Sequence, residues 1–309
     1  MKANQNPEYF LAVATERNIS KAAEKLHISQ PYLSQHIIRL EKSLQVRLLD
    51  REKTPLCLTP AGEIYANYLE SCRQLYQKLL FDLEAVGVSR FQTLRLGFSY
   101  WRASTVLPDI LPAFTQQYPT VKLEFFESPT SDLYSLITDD KVDFVIMNST
   151  LDTPDYVTTE TIFYEKILLV GHKDNPLTAA FLQMQGEGLP MDLRLLEDER
   201  MILLRPELAM AKRINNYLDK KQIVLRHPTY TTSASIALNL TAQNYGFCFV
   251  NETGVRCAPN REDLVFFDLD SDDLTHPLCV VYKKNSYLTP MARAFIDIML
   301  AFYHGQRGT

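Results

Sequence analysis

Residue types that perform covalent chemistry occur in this chain, but not at the spacings such chemistry needs. The six histidines are scattered, and the sequence holds no G-x-S-x-G, H-E-x-x-H, P-loop or G-x-G-x-x-G arrangement. His172, His227 and His276 are expected at the surface or in loops rather than on a metal. The five cysteines, Cys57, Cys72, Cys248, Cys257 and Cys279, are odd in number and include no C-x-x-C pair, which argues against a disulfide scaffold or a structural zinc. No catalytic residue, metal or cofactor is therefore expected. What stands out instead are side chains suited to reversible polar recognition. Gln30, Ser34, Gln35 and Arg39 recur along one short amphipathic segment. Amides, hydroxyls and guanidinium groups on one helix face match the donors and acceptors that base pairs present in a major groove.

The elements that must carry these residues follow from local pattern. Residues 7–44 read as three short helices. Pro7 suits a helix start, Asn18 a left-handed turn, and Ser20 and Ser29 the caps of the second and third helices. Leu33, Ile37, Leu40 and Leu44 make the buried stripe of the third, which leaves Gln30, Ser34, Gln35 and Arg39 outward. Residues 46–58 read as two short strands about a polar turn, and Thr59-Pro60 restarts helix. From Pro60 to about 88, Tyr65, Leu69, Cys72, Tyr76, Leu79, Leu83 and Val86 alternate spacings of four and three, a heptad seam suited to pairing two chains. Beyond residue 92 strands and helices alternate, the signature of a parallel sheet.

Residues 9–62 resemble the DNA-binding domain of LysR-type transcriptional regulators over its full length. The resemblance rests on Phe10-Leu11-Ala12-Val13-Ala14, Ala22-Ala23, Ile28-Ser29-Gln30-Pro31, Leu33-Ser34, Leu40-Glu41, Val46-Arg47-Leu48, Asp50-Arg51 and Leu58-Thr59-Pro60-Ala61-Gly62. It implies a winged helix-turn-helix whose third helix enters the major groove. The DNA-binding residues expected are Ser20, Gln30, Pro31, Tyr32, Ser34, Gln35 and Arg39, with Arg51 and Lys53 near the wing neutralising phosphates. Arg51 has an equal alternative as a structural partner of Asp50. The chain departs from the family pattern at Tyr32, where a small residue is usual, at Gln45, where glycine is usual, and at Leu49, where phenylalanine is frequent.

The body resembles the effector domain of the same family at Leu94-Arg95-Leu96-Gly97, Leu111-Pro112, Glu127-Ser128-Pro129, Val142-Asp143-Phe144-Val145 and Asn244-Tyr245-Gly246-Phe247. The fold class implied is α/β: a winged helix-turn-helix, a long linker helix, and two Rossmann-like lobes of the periplasmic-binding-protein type. The expected boundaries are 1–59, 60–92 and 93–309, with lobe I at 93–165 and 267–309 and lobe II at 166–266. Carried over by position, the effector residues are Ser99, Tyr100, Trp101 and Arg102, then Ser128, Pro129 and Thr130, then Met147 and Asn148. The second lobe adds Leu204, Thr232 and Ser233. Each hydroxyl among them can equally be a helix cap. A helix N-terminus at the 97–102 turn favours an anion, with Arg102 adding positive charge. The family's peroxide-sensing branch uses cysteines in the middle of the second lobe; residues 166–247 hold none, so that mechanism is not expected.

Whole-chain properties agree with this picture. A composition of 46% hydrophobic and 22% charged residues is that of an ordinary soluble protein. The net charge of −5 divides into +3 over residues 1–60 and −8 over the rest, a basic head on an acidic body. Met1 to Pro7 is polar and no apolar run is long enough to span a bilayer, so a cytoplasmic protein is expected. The partners expected are promoter DNA, a small-molecule effector, a second copy and, by family resemblance, a tetramer; an activator would add RNA polymerase. The rival readings are a solute-binding-type sensor without direct DNA binding and an enzyme that uses the cleft between the lobes.

Overall fold

Ala22, Ala23, Phe10 and Val13 sit at helical spacing and bury one face of each of the first two helices, and that local pattern builds the head of the molecule. The structure is a computed structural model, and it describes residues 6–53, 55–85, 93–148 and 153–305. The chain divides into two units, Met1–Val88 with Asn285–Tyr287 and Ser89–Lys284 with Leu288–Thr309.

In the first unit, α1 (Pro7–Glu16), α2 (Ile19–Lys25) and α3 (Gln30–Leu44) precede a two-stranded wing and the long α4 (Pro60–Ala85). In the wing, β1 (Leu49–Asp50) pairs antiparallel with β2 (Cys57–Leu58). The core joins Phe10, Val13, Ala22, Ala23, Leu33, Ile37 and Leu40 to Leu48, Leu49 and Leu69. The turn between α1 and α2 differs from expectation. Arg17 takes the left-handed conformation at φ 48, while Asn18 is extended and its side chain accepts from the N–H groups of Ser20 and Lys21. The carboxamide oxygen therefore caps α2, and Ser20 lies inside the helix. Ser29 does cap α3, accepting from Tyr32 N at 3.4 Å. Leu44, expected in the buried stripe, is 37% exposed because it is the last residue of α3. Gln45, which follows, sits at φ 56, a conformation that suits glycine and costs other residues about 1–2 kcal/mol.

In the second unit, β3 (Thr93–Phe98), β4 (Lys122–Glu127) and β5 (Phe144–Asn148) run parallel in the order β4-β3-β5. α5 (Arg102–Gln117) and α6 (Thr130–Thr138) connect them. β6 (Val157–His172) then crosses the whole unit. Next come α7 (Pro176–Gly186), β7 (Arg200–Leu204), α8 (Ala209–Lys220), β8 (His227–Thr231), α9 (Ala234–Ala242) and β9 (Phe247–Asn251). β10 (Leu264–Phe267), β11 (Thr275–Lys283) and α10 (Pro290–Gly305) complete the described chain. The full sheet order is β4-β3-β5-β11-β6-β9-β7-β8, with β10 also beside β6.

β6 is 16 residues long and changes partners along its length. Val157 to Lys166 pair with β11, while Ile167 to Val170 pair with β9 and Leu169 to His172 with β10. Two lobes thus share one strand. In lobe I, α5 and α10 supply Val106, Ile110, Phe114, Phe295 and Met299 to one core, and α6 supplies Leu133 and Ile137 to the other. In lobe II, α7 and α8 supply Phe181, Ile214 and Leu218 to one core, and α9 supplies Ala237 and Leu238 to the other.

Candidate functional site

The outward face of α3 follows from its own period. Leu33, Ile37 and Leu40 are buried, which leaves Gln30, Pro31, Gln35 and Arg39 exposed and Ser34 half-buried. Tyr32 is 52% exposed, and its ring meets the edge of Tyr9 at 6.1 Å. Tyr9 in turn meets His36 at 5.0 Å, so the aromatic departure at Tyr32 extends an aromatic ridge beside the polar face. Burial, and secondarily the Arg39 charge, push the His36 pKa down. Ser20 is exposed on α2.

The wing is held by Glu41, a carboxylate on the last turns of α3. Glu41 Oε1 accepts from Leu48 N at 2.8 Å and Leu49 N at 3.1 Å, while its Oε2 accepts from Arg51 Nη2 at 3.1 Å. Asp50 pairs instead with Lys53, at 3.5 Å. Arg51 thus has a structural partner, but it is Glu41 rather than Asp50. Its side chain stays 41% exposed and that of Lys53 68% exposed, so both keep charge at the surface. Gly62 is required where the wing meets α4, because a Cβ there would lie 2.0 Å from the Leu48 carbonyl oxygen.

Along α4 the expected seam divides. Leu69 is buried in the core of the first unit, and Tyr65 packs on Phe10 at 5.1 Å. These two positions serve the domain itself. Farther along, Leu75, Tyr76, Leu79 and Leu83 are 67%, 61%, 49% and 41% exposed, an apolar stripe without cover in the single chain. Cys72 lies between the two parts, half-buried. Val86 and the expected hinge at 87–92 fall outside the described residues.

The second candidate site is a cleft of about 100 Å³, partly open to solvent, between the two lobes of the second unit. Carboxyl ends of parallel strands beside helix N-termini form it, the usual place for ligands on open α/β sheets. Ser99 to Arg102 come from the β3–α5 turn, Ser128 to Thr130 from the β4–α6 turn and Asn148 from the end of β5. Leu204 ends β7, and Thr232 lies between β8 and α9. Two expected members are elsewhere. Met147 is fully buried in the lobe I core, because its side chain points to the opposite face of β5 from Asn148. Ser233 caps α9, accepting from Ile236 N at 3.4 Å. The lining also contains Leu208, Ala209, Met210, Asn251 and His276, which pattern reading did not single out.

Arg102 does not present a free charge. Its side chain and that of Glu165 are 1% and 0% exposed, with Nη2 2.5 Å from Oε1. Arg102 Nη1 donates to Thr253 Oγ1 at 2.8 Å and to Glu165 Oε2 at 3.3 Å, and Nη2 also donates to Asn148 Oδ1. Thr253 Oγ1 and Asn148 Nδ2 donate to Glu165 as well, at 2.8 and 2.6 Å. Burial works against the Glu165 charge, but the Arg102 guanidinium beside it holds the carboxyl below its ordinary value. His276, expected at the surface, is 4% exposed on β11, where Nε2 donates to Asn251 Oδ1 at 3.0 Å. Burial pushes its pKa down to about 4, so it is neutral near pH 7.

Three helices begin at the cleft without a side-chain cap: α5 after Trp101, α6 after Pro129 and α8 after Leu208. Helix N-termini carry unpaired N–H donors and partial positive charge, which favours an anion. Trp101, Leu204, Leu208 and Met210 supply apolar lining of the same cleft. Trp101 extends from lobe I to pack with the second-lobe cluster around Val250 and Ala237.

The comparisons with known proteins agree on one family. The model described as bacterial regulatory helix-turn-helix protein, lysR family, matches residues 5–63, and the LysR substrate binding domain matches residues 89–303. The chain belongs to the LysR family: it is a LysR-type transcriptional regulator with a DNA-binding head and an effector-binding body. It is 25% identical over 279 residues to the probable cat1 operon transcriptional activator of Acinetobacter lwoffii, covering 90% of this chain and 88% of that one. It is 26% identical over 245 residues to the regulator BenM of Acinetobacter baylyi, covering 78% of each. The structure of a Corynebacterium glutamicum OxyR C206 mutant shares the fold at TM-score 0.59 and 23% identity, covering 97% of this chain and 92% of that one. These relatives are transcriptional regulators rather than enzymes. Among the described residues, no helix is long and apolar enough to cross a membrane.

Proposed function

We propose that this regulator reads its promoter through Gln30, Ser34, Gln35 and Arg39 of α3 and is switched by a small carboxylate bound between its lobes. Ser20, Pro31, Tyr32, Arg51 and Lys53 border the same surface and serve phosphate or register contacts. The observation that carries the ligand class is the meeting of three uncapped helix N-termini, of α5, α6 and α8, on one cleft beside the hydroxyls of Ser99, Ser128, Thr130 and Thr232. The apolar wall of Trp101, Leu204, Leu208 and Met210 suits an organic body on that carboxylate. A structure of the BenM effector domain, described as carrying its effector benzoate, has the same fold at TM-score 0.58 and 18% identity, covering 71% of this chain and 95% of that one, which supports a carboxylate here.

In this reading the exposed stripe of α4 pairs two chains, so that two recognition helices address two half-sites, and the bodies join dimers into a tetramer. The protein works in the cytoplasm, where an activating role would bring RNA polymerase as a further partner. The ligand acts by binding one arrangement of the lobes better than the other. The test is a thermal-shift screen of small carboxylates against their amides, with gel shifts on DNA upstream of the gene. At least one carboxylate should stabilise the protein and alter the DNA complex, and its amide should not. Amides that bind as well as the acids would overturn the anion reading.

A further inference from the structure

The cleft walls hold one formally charged side chain among the described lining residues, Arg102, and it is already paired. All four of its Nη hydrogen bonds end on protein oxygens: two on Glu165, one on Thr253 and one on Asn148. Among the described residues no Asp, Glu or Lys lines the cleft, and the remaining polar groups are hydroxyls, side-chain amides and the His276 ring. The charge that can meet a ligand is therefore the partial positive charge of helix N-termini, roughly half a unit for each helix and about one and a half for the three, enough for one carboxylate but short of two. A second carboxylate would enter a buried region whose guanidinium is neutralised from behind, and its desolvation would go uncompensated. The remaining donor of Arg102, Nε, is buried and has no hydrogen-bond partner among the described residues.

We propose that the cleft selects singly charged organic anions over doubly charged ones, and that Glu165 sets this selectivity by neutralising Arg102. This rests on the anion reading above. Glu165 is fully buried and does not line the cleft, so it is a positioning residue that acts through Arg102. Replacing its carboxylate with an amide keeps two hydrogen-bonding atoms at the same place but leaves the Arg102 charge unbalanced and available to a second carboxylate.

The experiment uses the full chain and matched probes, hexanoate against adipate and benzoate against terephthalate, with affinity read by calorimetry and thermal shift. The wild-type protein should bind a monocarboxylate at least ten times more tightly than its dicarboxylate partner. Glu165→Gln should narrow or reverse that ratio by at least ten-fold, and Glu165→Asp, which restores the charge, should return it toward the wild-type value. A general loss of stability would weaken both members of a pair together, so the ratio separates selectivity from damage. If Glu165→Gln does not fold, the wild-type ratio and Glu165→Asp decide the matter. Dicarboxylates that bind the wild type as well as monocarboxylates would overturn this inference and leave the anion reading standing. If the corresponding amides bind and none of the acids does, both fall.

Discussion

Arg102 Nη2 lies 2.5 Å from Glu165 Oε1, with both side chains closed to solvent beneath the cleft. Arg102 opens α5, and Glu165 sits on β6 immediately before that strand changes lobes. Thr253, from the second lobe, hydrogen-bonds to both. The pair is therefore a charge-balanced junction between the lobes, and it invites a stability test. Arg102→Met should destabilise the body by about 3–5 kcal/mol, since it leaves a buried carboxylate without its counter-ion. The Arg102→Met, Glu165→Met double variant should lose less than the two single variants added together, by roughly 1 kcal/mol or more. Urea unfolding of the four proteins measures the coupling, and strict additivity would sink it.

A pH effect follows from His276. Burial, and behind it the Arg102 and Arg213 charges, outweigh the opposing influence of Glu165 and set its pKa at about 4, down from an ordinary value of 6.5. Between those values the unfolded chain holds a proton that the folded chain does not, so stability falls as pH falls through the window. From pH 7 to pH 5 this histidine should cost on the order of 1–2 kcal/mol. Unfolding measured at both values should show a smaller loss for His276→Asn than for the wild type. An unchanged pH dependence in the variant would remove His276 as its source.

The two halves of α4 should respond differently. Leu69→Ala removes a buried side chain from the first unit and should cost it about 2–5 kcal/mol. A Leu79→Glu, Leu83→Glu double change touches exposed positions and should leave the melting temperature within a degree or two. It places charge on the stripe assigned to pairing, so operator affinity should fall at least ten-fold although no DNA-facing residue is altered. Wild-type operator affinity in the double variant would refute the seam.

On the DNA face, Arg39→Ala should cost about 1–3 kcal/mol of specific binding if its guanidinium meets a base edge. Arg51→Ala combines two losses, a surface charge and the contact to Glu41 that steadies the wing, and should weaken specific and non-specific DNA alike. Gel shifts with operator and scrambled duplexes, run across a salt series, separate these behaviours. Gln35→Ala and Arg39→Ala proteins that both bind like the wild type would remove the proposed face.

The head of this molecule and the outward set on α3 were legible in the sequence because both rest on local rules. Helical period alone turns Leu33, Ile37 and Leu40 inward and Gln30, Gln35 and Arg39 outward, and Ser29 caps a helix it adjoins. The turns at the cleft were legible for the same reason, since strand-to-helix junctions place their residues at strand ends. What lay beyond the sequence was decided by distant partners. Arg102 looked like a free cation until the fold set Glu165 against it. A heptad at Leu69 reads the same whether its partner is another chain or Phe10's own domain, and packing chose the domain. His276 and Asn251, remote in sequence, became neighbours only because β6 carries β9 on one half of its length and β11 on the other. Periodicity fixes which way a side chain faces; burial and charge balance depend on what the rest of the chain brings to that face.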